Sequence, residues 1–501
     1  MRTIAFFKYL VMFLGITGTQ VARPDIPRAW DDREVATFQV PLAQRDRSPR
    51  FMTSEEYYKL KVRPIYRTYP IYLPGREPVG YLESLKQKEP EIVFDPSKLQ
   101  TEEDWIRAGE LVFEAAPTVA VPPPEALRAA DAQNQMALQW VSALTPPNRD
   151  GIIPYARWVV IQQGVVQPAI ASCAACHTRV MPDGTILKGA QGDFALNRFL
   201  AKQGEFFLSQ PGFGPAAFRA LRDADWELTG ASWISTRAEA DKVPDAEWIR
   251  RQAAMQPGVI ERHGTSNTHP SHVPSLIGIK DLKYLDATGL VRHRSVGDLM
   301  RYVVANYGID MVAHFGDFQP STSFAAIGAQ DGTRYSDEQL YALAMYLYSL
   351  KPPPNPNRFD DSARRGQQVF QQQGCATCHT PPLYTNNSLT PAPGFTVPED
   401  LRTSDAIMNV SVGSDPTLAT STRRGTGFYK VPSLRGVWYR NAFGHNGQAD
   451  TLEEWFDPAR LRNDYVPKGF HLGPGPIKGH QFGLNLPAAD KRSLIAFLHT
   501  L

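Results

Sequence analysis

Cys173-Ala-Ala-Cys176-His177 recurs about 200 residues later as Cys375-Ala-Thr-Cys378-His379, and the two pentapeptides contain every cysteine of the chain. Two thiols at this spacing can form thioether bonds to the vinyl groups of one porphyrin, and the next histidine then gives its imidazole to the iron. A zinc site normally uses closer cysteine pairs, and a redox dithiol needs no adjacent histidine. The sequence therefore predicts two covalently bound haem c groups, held by Cys173, Cys176, His177, Cys375, Cys378 and His379.

The composition fits a globular haem protein. The chain has 501 residues, a formal net charge of +2 and 42% hydrophobic residues. That length allows two or three domains, and the near-neutral charge gives no basic stripe for nucleic acid. The 42 prolines predict ordered irregular loops rather than long strands. We expect a mainly α fold with two cytochrome-c-like haem domains and a proline-rich N-terminal arm.

The N-terminus resembles an export signal. Arg2 and Lys8 flank the start, and residues 9–18 form an apolar run that is short for a membrane span. We predict a signal peptide over residues 1–22, with an uncleaved membrane anchor as the alternative. Haem c is attached outside the bacterial cytoplasm, so both signals predict a periplasmic protein.

An internal repeat divides the remaining chain. Residues 105–113 before the first haem motif match residues 362–370 before the second, with a glycine at the same place in each. A helical stretch at 336–350 matches another at 490–501, and Ser336 with Gln339 forms a capping box. The prolines of residues 352–356 end the first copy. These boundaries give an arm over 23–99, a first haem domain over 100–351 and a second over 357–501.

The middle of each copy also repeats. Val273-Pro-Ser-Leu-Ile-Gly278 matches Val431-Pro-Ser-Leu-Arg-Gly436, and Gly289 and Gly447 each follow the proline by the same distance. Short helices are predicted directly afterwards. The first copy carries additional residues at roughly 117–160 and 190–260, where a substrate pocket would be built.

The ligand on the far side of each iron decides what each haem can do. His445 lies two residues before Gly447, whereas the matching position in the first copy is Ala287. We therefore predict His445 as sixth ligand of the second haem and an open position on the first. Met408 is the alternative ligand for the second haem. The candidates that could close the first are His263, His269, His272, His293, Met311 and His314.

Other residues near the motifs have secondary interpretations. Lys430 and Arg435 flank the second Val-Pro-Ser-Leu segment and could pair with a haem propionate. Aromatic residues there could relay electrons, although such residues are more often part of a core. These aromatic residues are Trp438, Tyr439 and Trp455. The histidines interpreted as structural or supporting are His471, His480 and His499.

The two C-x-x-C-H motifs, residues 430–436 and the run from His445-Asn-Gly to Thr451-Leu-Glu-Glu resemble the bacterial dihaem cytochrome c peroxidase superfamily, which includes the MauG-type enzymes and the dihaem rubber oxygenases. The resemblance covers residues 355–501 best. It implies a mainly α fold, chemistry at the N-terminal haem, electron handling at the C-terminal haem and a calcium ion between the domains, whose ligands it does not identify. No residue matches the family's catalytic acid or base.

These observations predict a periplasmic dihaem oxidoreductase. Peroxide or dioxygen would react at the first haem, and electrons would be exchanged through the second with a small redox protein or the quinol chain. One alternative is an electron-transfer cytochrome in which both irons are six-coordinate. Another is a haem subunit of a periplasmic dehydrogenase complex.

Overall fold

The structure is a computed structural model that describes residues 24–115, 135–169, 172–209, 214–231, 233–261, 264–318 and 333–501. The predicted signal peptide lies outside these residues. Within them, no helix is both long enough and apolar enough to cross a membrane.

Helices form the larger elements of the fold. The helices are α1 Asp32–Val35, α2 Ser54–Lys59, α3 Tyr81–Lys86, α4 Glu102–Glu114, α5 135–143, α6 Cys173–Cys176, α7 Leu196–Ser209, α8 Gly214–Thr229, α9 Arg237–Asp241, α10 Asp245–Ala254, α11 Val296–Val312, α12 Asp337–Ser349, α13 Asp361–Gln372, α14 Glu399–Ser404, α15 Thr417–Thr420, α16 Leu452–Trp455 and α17 Ala488–His499. All four helices that frame the two copies of the sequence repeat are present, as α4, α12, α13 and α17.

The strands are mostly short. They are β1 Pro49–Phe51, β2 Lys61–Val62, β3 Thr68–Tyr72, β4 Ile152–Gln162, β5 Val165–Ala169, β6 Thr178–Val180, β7 Ile186–Lys188, β8 Val259–Ile260, β9 Ser271–His272, β10 Tyr284–Leu285, β11 Val291–Arg292, β12 Ala313–Phe315, β13 Thr333–Arg334, β14 Leu389–Pro391 and β15 Phe428–Lys430. The described residues contain one three-stranded sheet, β3-β4-β5, and otherwise two-stranded ribbons. The prediction that long strands are absent is wrong at β4, which has 11 residues. The mainly α prediction therefore holds only in part.

The same helix crossing occurs in both halves. Helix α4 packs on α12, and α13 packs on α17. A Cβ added to Gly109 would overlap the carbonyl oxygen of Ala342, and one added to Gly366 would overlap that of Ser493. The repeated glycine is therefore required because the two helix backbones touch at the crossing.

Replacing Gly366 with alanine should destabilise the second half of the chain. Alanine normally stabilises a helix relative to glycine. A loss of stability would therefore report the clash between the added Cβ and the carbonyl oxygen of Ser493. We expect a loss of about 3 kcal/mol in the free energy of unfolding, measured by denaturant titration. Gly473→Ala is the control, because an added Cβ there meets no atom within 4 Å. Equal stability of the two variants would contradict the crossing.

The N-terminal arm is part of the core. Trp30 and Tyr57 are almost wholly buried in the same hydrophobic cluster as helices α4, α11 and α12. Strand β1 pairs with β12, and β3 pairs with β4. The arm also reaches the second half, where Arg45 binds the carboxylate of Asp400 at 2.8 Å. An arm lying over separately packed units is therefore an incomplete description of residues 24–99.

The additional residues of the first copy contain a buried polar network. Within these additional residues, helix α7 packs on α8 and α10. Between these helices, the carboxyl groups of Asp225 and Glu261 interact directly, and burial raises the pKa of both. Trp248 Nε1 donates to Asp225 at 2.8 Å, and Gln252 Nε2 donates to Glu261 at 3.0 Å. Two buried carboxyl groups in contact are most stable when at least one is protonated.

Stability of this region should fall as the pH rises from about 4 towards 8. The folded pKa of Glu261 is raised, so the folded state binds more protons than the unfolded state in this range. Glu261→Gln keeps the shape and can donate to Asp225, so it should remove most of the pH dependence and add on the order of 1 kcal/mol at pH 8. Denaturant titrations at pH 5 and pH 8 measure this. A variant whose pH dependence equals that of the unmodified protein would refute it.

Candidate haem sites

The second attachment motif follows α13. Gly374, with φ of 71°, ends that segment and begins a short 3₁₀ turn over Cys375–Thr377. His379 is buried, and its Nδ1 lies 3.1 Å from the carbonyl oxygen of Pro432 and 3.2 Å from that of Tyr384. A hydrogen bond donated from Nδ1 leaves Nε2 unprotonated, which is the form of histidine that binds a metal.

The first motif has the same arrangement. Ser172 caps α6, which contains Cys173 and Cys176. His177 Nδ1 lies 3.1 Å from the carbonyl oxygen of Pro274. The repeated Val-Pro-Ser-Leu segment thus supplies a proline carbonyl to the haem-motif histidine in both halves. That gives a physical reason for the repeat, because the carbonyl fixes the tautomer and orientation of the ligand.

The glycines of the repeat also share a conformation. Gly278 and Gly436 have φ of 79° and 74°, and each begins a 3₁₀ turn. Gly289 and Gly447 have φ of 66° and 69°. Only glycine adopts this region without strain. The two halves therefore match in local backbone geometry at the places where their sequences match.

A cavity of about 260 Å³ adjoins Cys375, Cys378 and His379. Its walls are largely apolar. The apolar residues include Phe370, Val437, Leu452, Phe456, Leu494 and Leu498. The cavity has a pair of thiols and a histidine at one wall, and the rest of its lining is largely apolar. This arrangement suits a covalently attached porphyrin.

His480 lies across this cavity from His379. The ring centroids of the two histidines are 6.3 Å apart, and both residues line the cavity. A metal ion held about 2 Å from a nitrogen of each ring places the ring centres roughly 6 Å apart. The residues therefore fit a haem whose iron lies between the two imidazoles.

Backbone strain and a buried arginine hold His480 in place. Its φ is 46°, which is unusual for a residue other than glycine, and its N–H donates to the carbonyl of Val412 at 2.6 Å. Arg460 is wholly buried and donates to the carbonyls of Ile477, Gly479 and His480. Burial, with a further contribution from His379, lowers the pKa of His480 to about 4. His480 is therefore a neutral imidazole at pH 7. Its buried Nδ1 has no hydrogen-bond partner among the described residues.

The predicted ligand His445 lies further from His379 in its contacts than His480 does. This residue also lines the cavity, but its ring lies 4.7 Å from that of Tyr429 and its carbonyl accepts from His272. The ring nearest that of His379 belongs to His480, which was interpreted as structural, so His480 becomes a second candidate for the sixth ligand beside His445. The repeat argument did not select His480 because it compared only positions that have a counterpart in both halves. In the sequence, His480 lies between Gly479 and Gly483, eight residues before the start of α17.

The alternative ligand Met408 lies beside the second attachment motif. Its sulfur lies 3.9 Å from the sulfur of Cys378 and accepts a hydrogen bond from Asn386 Nδ2 at 3.3 Å.

Two basic residues face the cavity. Lys430 and Arg440 line it, and burial lowers the pKa of Lys430 to about 8. Arg435, the other predicted propionate partner, instead binds Asp281 at 2.8 Å on the surface. Positive charge at an otherwise apolar cavity suits the carboxylates of a haem, and Arg440, which donates to the carbonyls of Ser433 and Arg435, lines the cavity where Arg435 does not.

Three of the predicted alternative ligands for the first haem have other contacts, and a fourth is exposed. His293 is engaged at both ring nitrogens, by Leu282 O at 2.7 Å and Tyr348 Oη at 2.6 Å. His314 is exposed on β12. His269 binds Thr268, and His272 binds the carbonyl of His445. The other two candidates, His263 and the side chain of Met311, lie outside the described residues.

The remaining predicted residues have supporting positions. Trp455 packs on His480, with ring centroids 5.5 Å apart, whereas Trp438 and Tyr439 pack together at 5.0 Å. His471 bonds the carbonyl of Gly469, and His499 ends α17. Among the described residues, no group of three or more His, Cys, Asp or Glu side chains is arranged to hold a metal ion.

Comparisons with known proteins give only distant structural likeness. No protein-family model matches the chain, and no curated protein matches its sequence. One similar structure is hydrazine synthase from Kuenenia stuttgartiensis under xenon pressure, at 14% identity, with 60% of this chain and 92% of that chain covered and a TM-score of 0.29. Another is a variant of the dihaem peroxidase BthA from Burkholderia thailandensis, at 17% identity, with 63% and 90% covered and a TM-score of 0.26. TM-scores this low do not establish a common fold, so function is argued from the residues themselves.

Proposed function

We propose that the chain is a dihaem c-type oxidoreductase in which peroxide or dioxygen reacts at the first haem and electrons are exchanged through the second. The observation that carries this proposal is the difference between the two halves. Both halves provide the same attachment motif and the same proline carbonyl, whereas a histidine facing the motif is found in the second half.

The second half has residues that would occupy both axial positions of its iron. Cys375, Cys378 and His379 would hold the haem from one side and His480 from the other. An iron with two fixed protein ligands has no position for an oxidant and can only gain or lose electrons. Arg460 and the strained backbone fix His480, so this ligand would not leave easily.

The corresponding sequence in the first half offers no such ligand. His480 lies eight residues before α17, and the position eight residues before α12 is Ala329. The whole stretch 319–332 contains no histidine, methionine, cysteine, lysine or tyrosine. This stretch lies outside the described residues, so the argument rests on its composition alone. The first haem would be held by Cys173, Cys176 and His177 with its sixth position open to a small oxidant.

The chain's own residues prepare both sites. A haem with an open position supplies electron transfer to a bound oxidant. The carbonyl oxygens of Pro274 and Pro432 accept hydrogen bonds from Nδ1–H of His177 and His379, which increases the basicity of the Nε2 that would bind iron. The apolar walls of the second cavity would keep water from the haem, and Lys430 and Arg440 would offset the negative charge of its propionates. No described side chain is assigned as proton donor or acceptor for the oxidant.

Location and partners follow from the same proposal. Export to the periplasm rests on the N-terminal sequence and on the requirement of haem c attachment outside the cytoplasm. The electron donor or acceptor would be a small redox protein or the quinol chain.

Spectroscopy of the purified protein tests the proposal. We expect one high-spin and one low-spin ferric signal by electron paramagnetic resonance. After reduction, carbon monoxide should bind about one haem in two. If both haems are low-spin and neither binds carbon monoxide when reduced, the proposed enzymatic function is refuted and an electron-transfer cytochrome is favoured.

A further inference from the structure

One wall of the second cavity is made by the first half of the chain. Gln191, His272, Ser275 and Ala287 all line this cavity. Gln191 is fixed across the boundary because its side chain accepts from the N–H of Asn441 at 3.1 Å. His272 is fixed in the same way, because its N–H and its Nδ1 both reach the carbonyl of His445 at 3.2 Å.

The same segments hold the attachment peptide of the first haem. The carbonyl of Pro274 accepts from His177 Nδ1 at 3.1 Å. Gly189 N–H donates to the carbonyl of His177 at 2.7 Å. A Cβ on Gly192 would overlap the carbonyl of Cys176, so the two backbones touch. The side of the first haem that carries His177 is therefore separated from the second cavity by a single layer of backbone.

We propose that the peptide from Pro274 to Ser275 is the bridge through which electrons pass between the two haems, which rests on the proposed function. The route consists of one hydrogen bond, from His177 to the Pro274 carbonyl, followed by covalent bonds to Ser275 at the wall of the second cavity. Electron tunnelling is more efficient through hydrogen bonds and covalent bonds than across van der Waals gaps. Each transfer oxidises one haem iron by one electron and reduces the other by one, and no bond is broken.

The aromatic residues do not supply an equally direct route. Trp438 and Tyr439 pack with Met181 and Ala190 of the first half. Neither is among the described residues that line the second cavity. Trp455 lies beside His480, and both belong to the second half. Tyr439 has a side-chain hydrogen bond with Ser275, so it reaches the second cavity only through that serine, which already belongs to the proposed bridge.

The internal repeat provides a matched control. Pro274→Gly and Pro432→Gly both free a carbonyl that accepts a hydrogen bond from a haem-motif histidine, because glycine removes the fixed φ of proline. Each change should weaken the proximal hydrogen bond of one haem. Only Pro274 lies on the proposed bridge.

The rate of electron transfer between the haems is the measurement. The protein is prepared with the first haem reduced and bound to carbon monoxide and the second oxidised. A laser flash removes the carbon monoxide, and the electron then moves to the second haem. After correction for the measured reduction potentials of both haems, Pro274→Gly should slow this step by about tenfold or more. Pro432→Gly and Tyr439→Phe should slow this step much less, and Trp438→Phe should leave it nearly unchanged.

A second matched pair covers the case in which Pro274→Gly fails to incorporate its haem. Ser275→Gly removes the side chain at the cavity wall, and Ser433→Gly is its counterpart in the second repeat; we expect a slower transfer only in the former. Carbon monoxide binding to neither haem would refute the proposed function itself. Normal binding with equal rates in the matched variants, or a slow rate only in the tryptophan or tyrosine variant, would refute the bridge alone.

Discussion

Replacing His480 with alanine is expected to convert the second haem from a low-spin to a high-spin form. The 6.3 Å separation of the His379 and His480 rings leaves room for one iron between them, and alanine would remove one of its two ligands. Carbon monoxide should then bind about two haems per reduced chain instead of about one. Electron paramagnetic resonance and carbon monoxide titration measure the two effects.

His445→Ala is the matched control for this experiment. His445 lines the same cavity and is equally buried in its surroundings, and burial lowers its pKa to about 4 as it does for His480. Its ring, however, packs on Tyr429. We expect the second haem to stay low-spin in this variant. If His445→Ala produces the high-spin signal and His480→Ala does not, the original sequence-based assignment is right and the geometric one is wrong.

The contrast between His445 and His480 shows which parts of the site could be predicted from the sequence. The attachment motifs, the paired helices and the Val-Pro-Ser-Leu repeat follow local rules of spacing, and the structure places each of them as those rules require. The residue facing His379 depends on a loop that returns to the cavity from about 100 residues further along the chain. Its position is fixed by Arg460 and by the backbone of Val412, contacts that no periodicity indicates.

The N-terminal arm and the additional residues of the first half show the same limit. The proline-rich composition predicted an arm beside the two haem domains, yet Trp30 is wholly buried and β3 joins the sheet of β4 and β5. Strand β4 is buried along most of its length, so it lacks the alternating pattern that reveals a half-exposed strand. Tertiary contacts determine the structure of these elements, and such contacts are not visible in a single sequence.

Removing one pair of attachment cysteines at a time should separate the two haems. Cys375→Ser with Cys378→Ser should leave about one haem per chain, and that haem should be high-spin and bind carbon monoxide. Cys173→Ser with Cys176→Ser should also leave about one haem, but a low-spin one that refuses carbon monoxide. The pyridine haemochrome spectrum counts the haems, and the carbon monoxide titration tests each one.

The asymmetry between these two variants is the decisive result, because loss of either haem alone follows from the motifs. Serine is close to cysteine in size but cannot form a thioether to the porphyrin. Each variant needs a check of the remaining helix crossing, by circular dichroism, because an empty cavity costs stability. If the haem attached at Cys173 proves low-spin and the one attached at Cys375 binds carbon monoxide, the roles proposed for the two haems are reversed. His480 would then be a supporting residue, and the open site would lie in the second half.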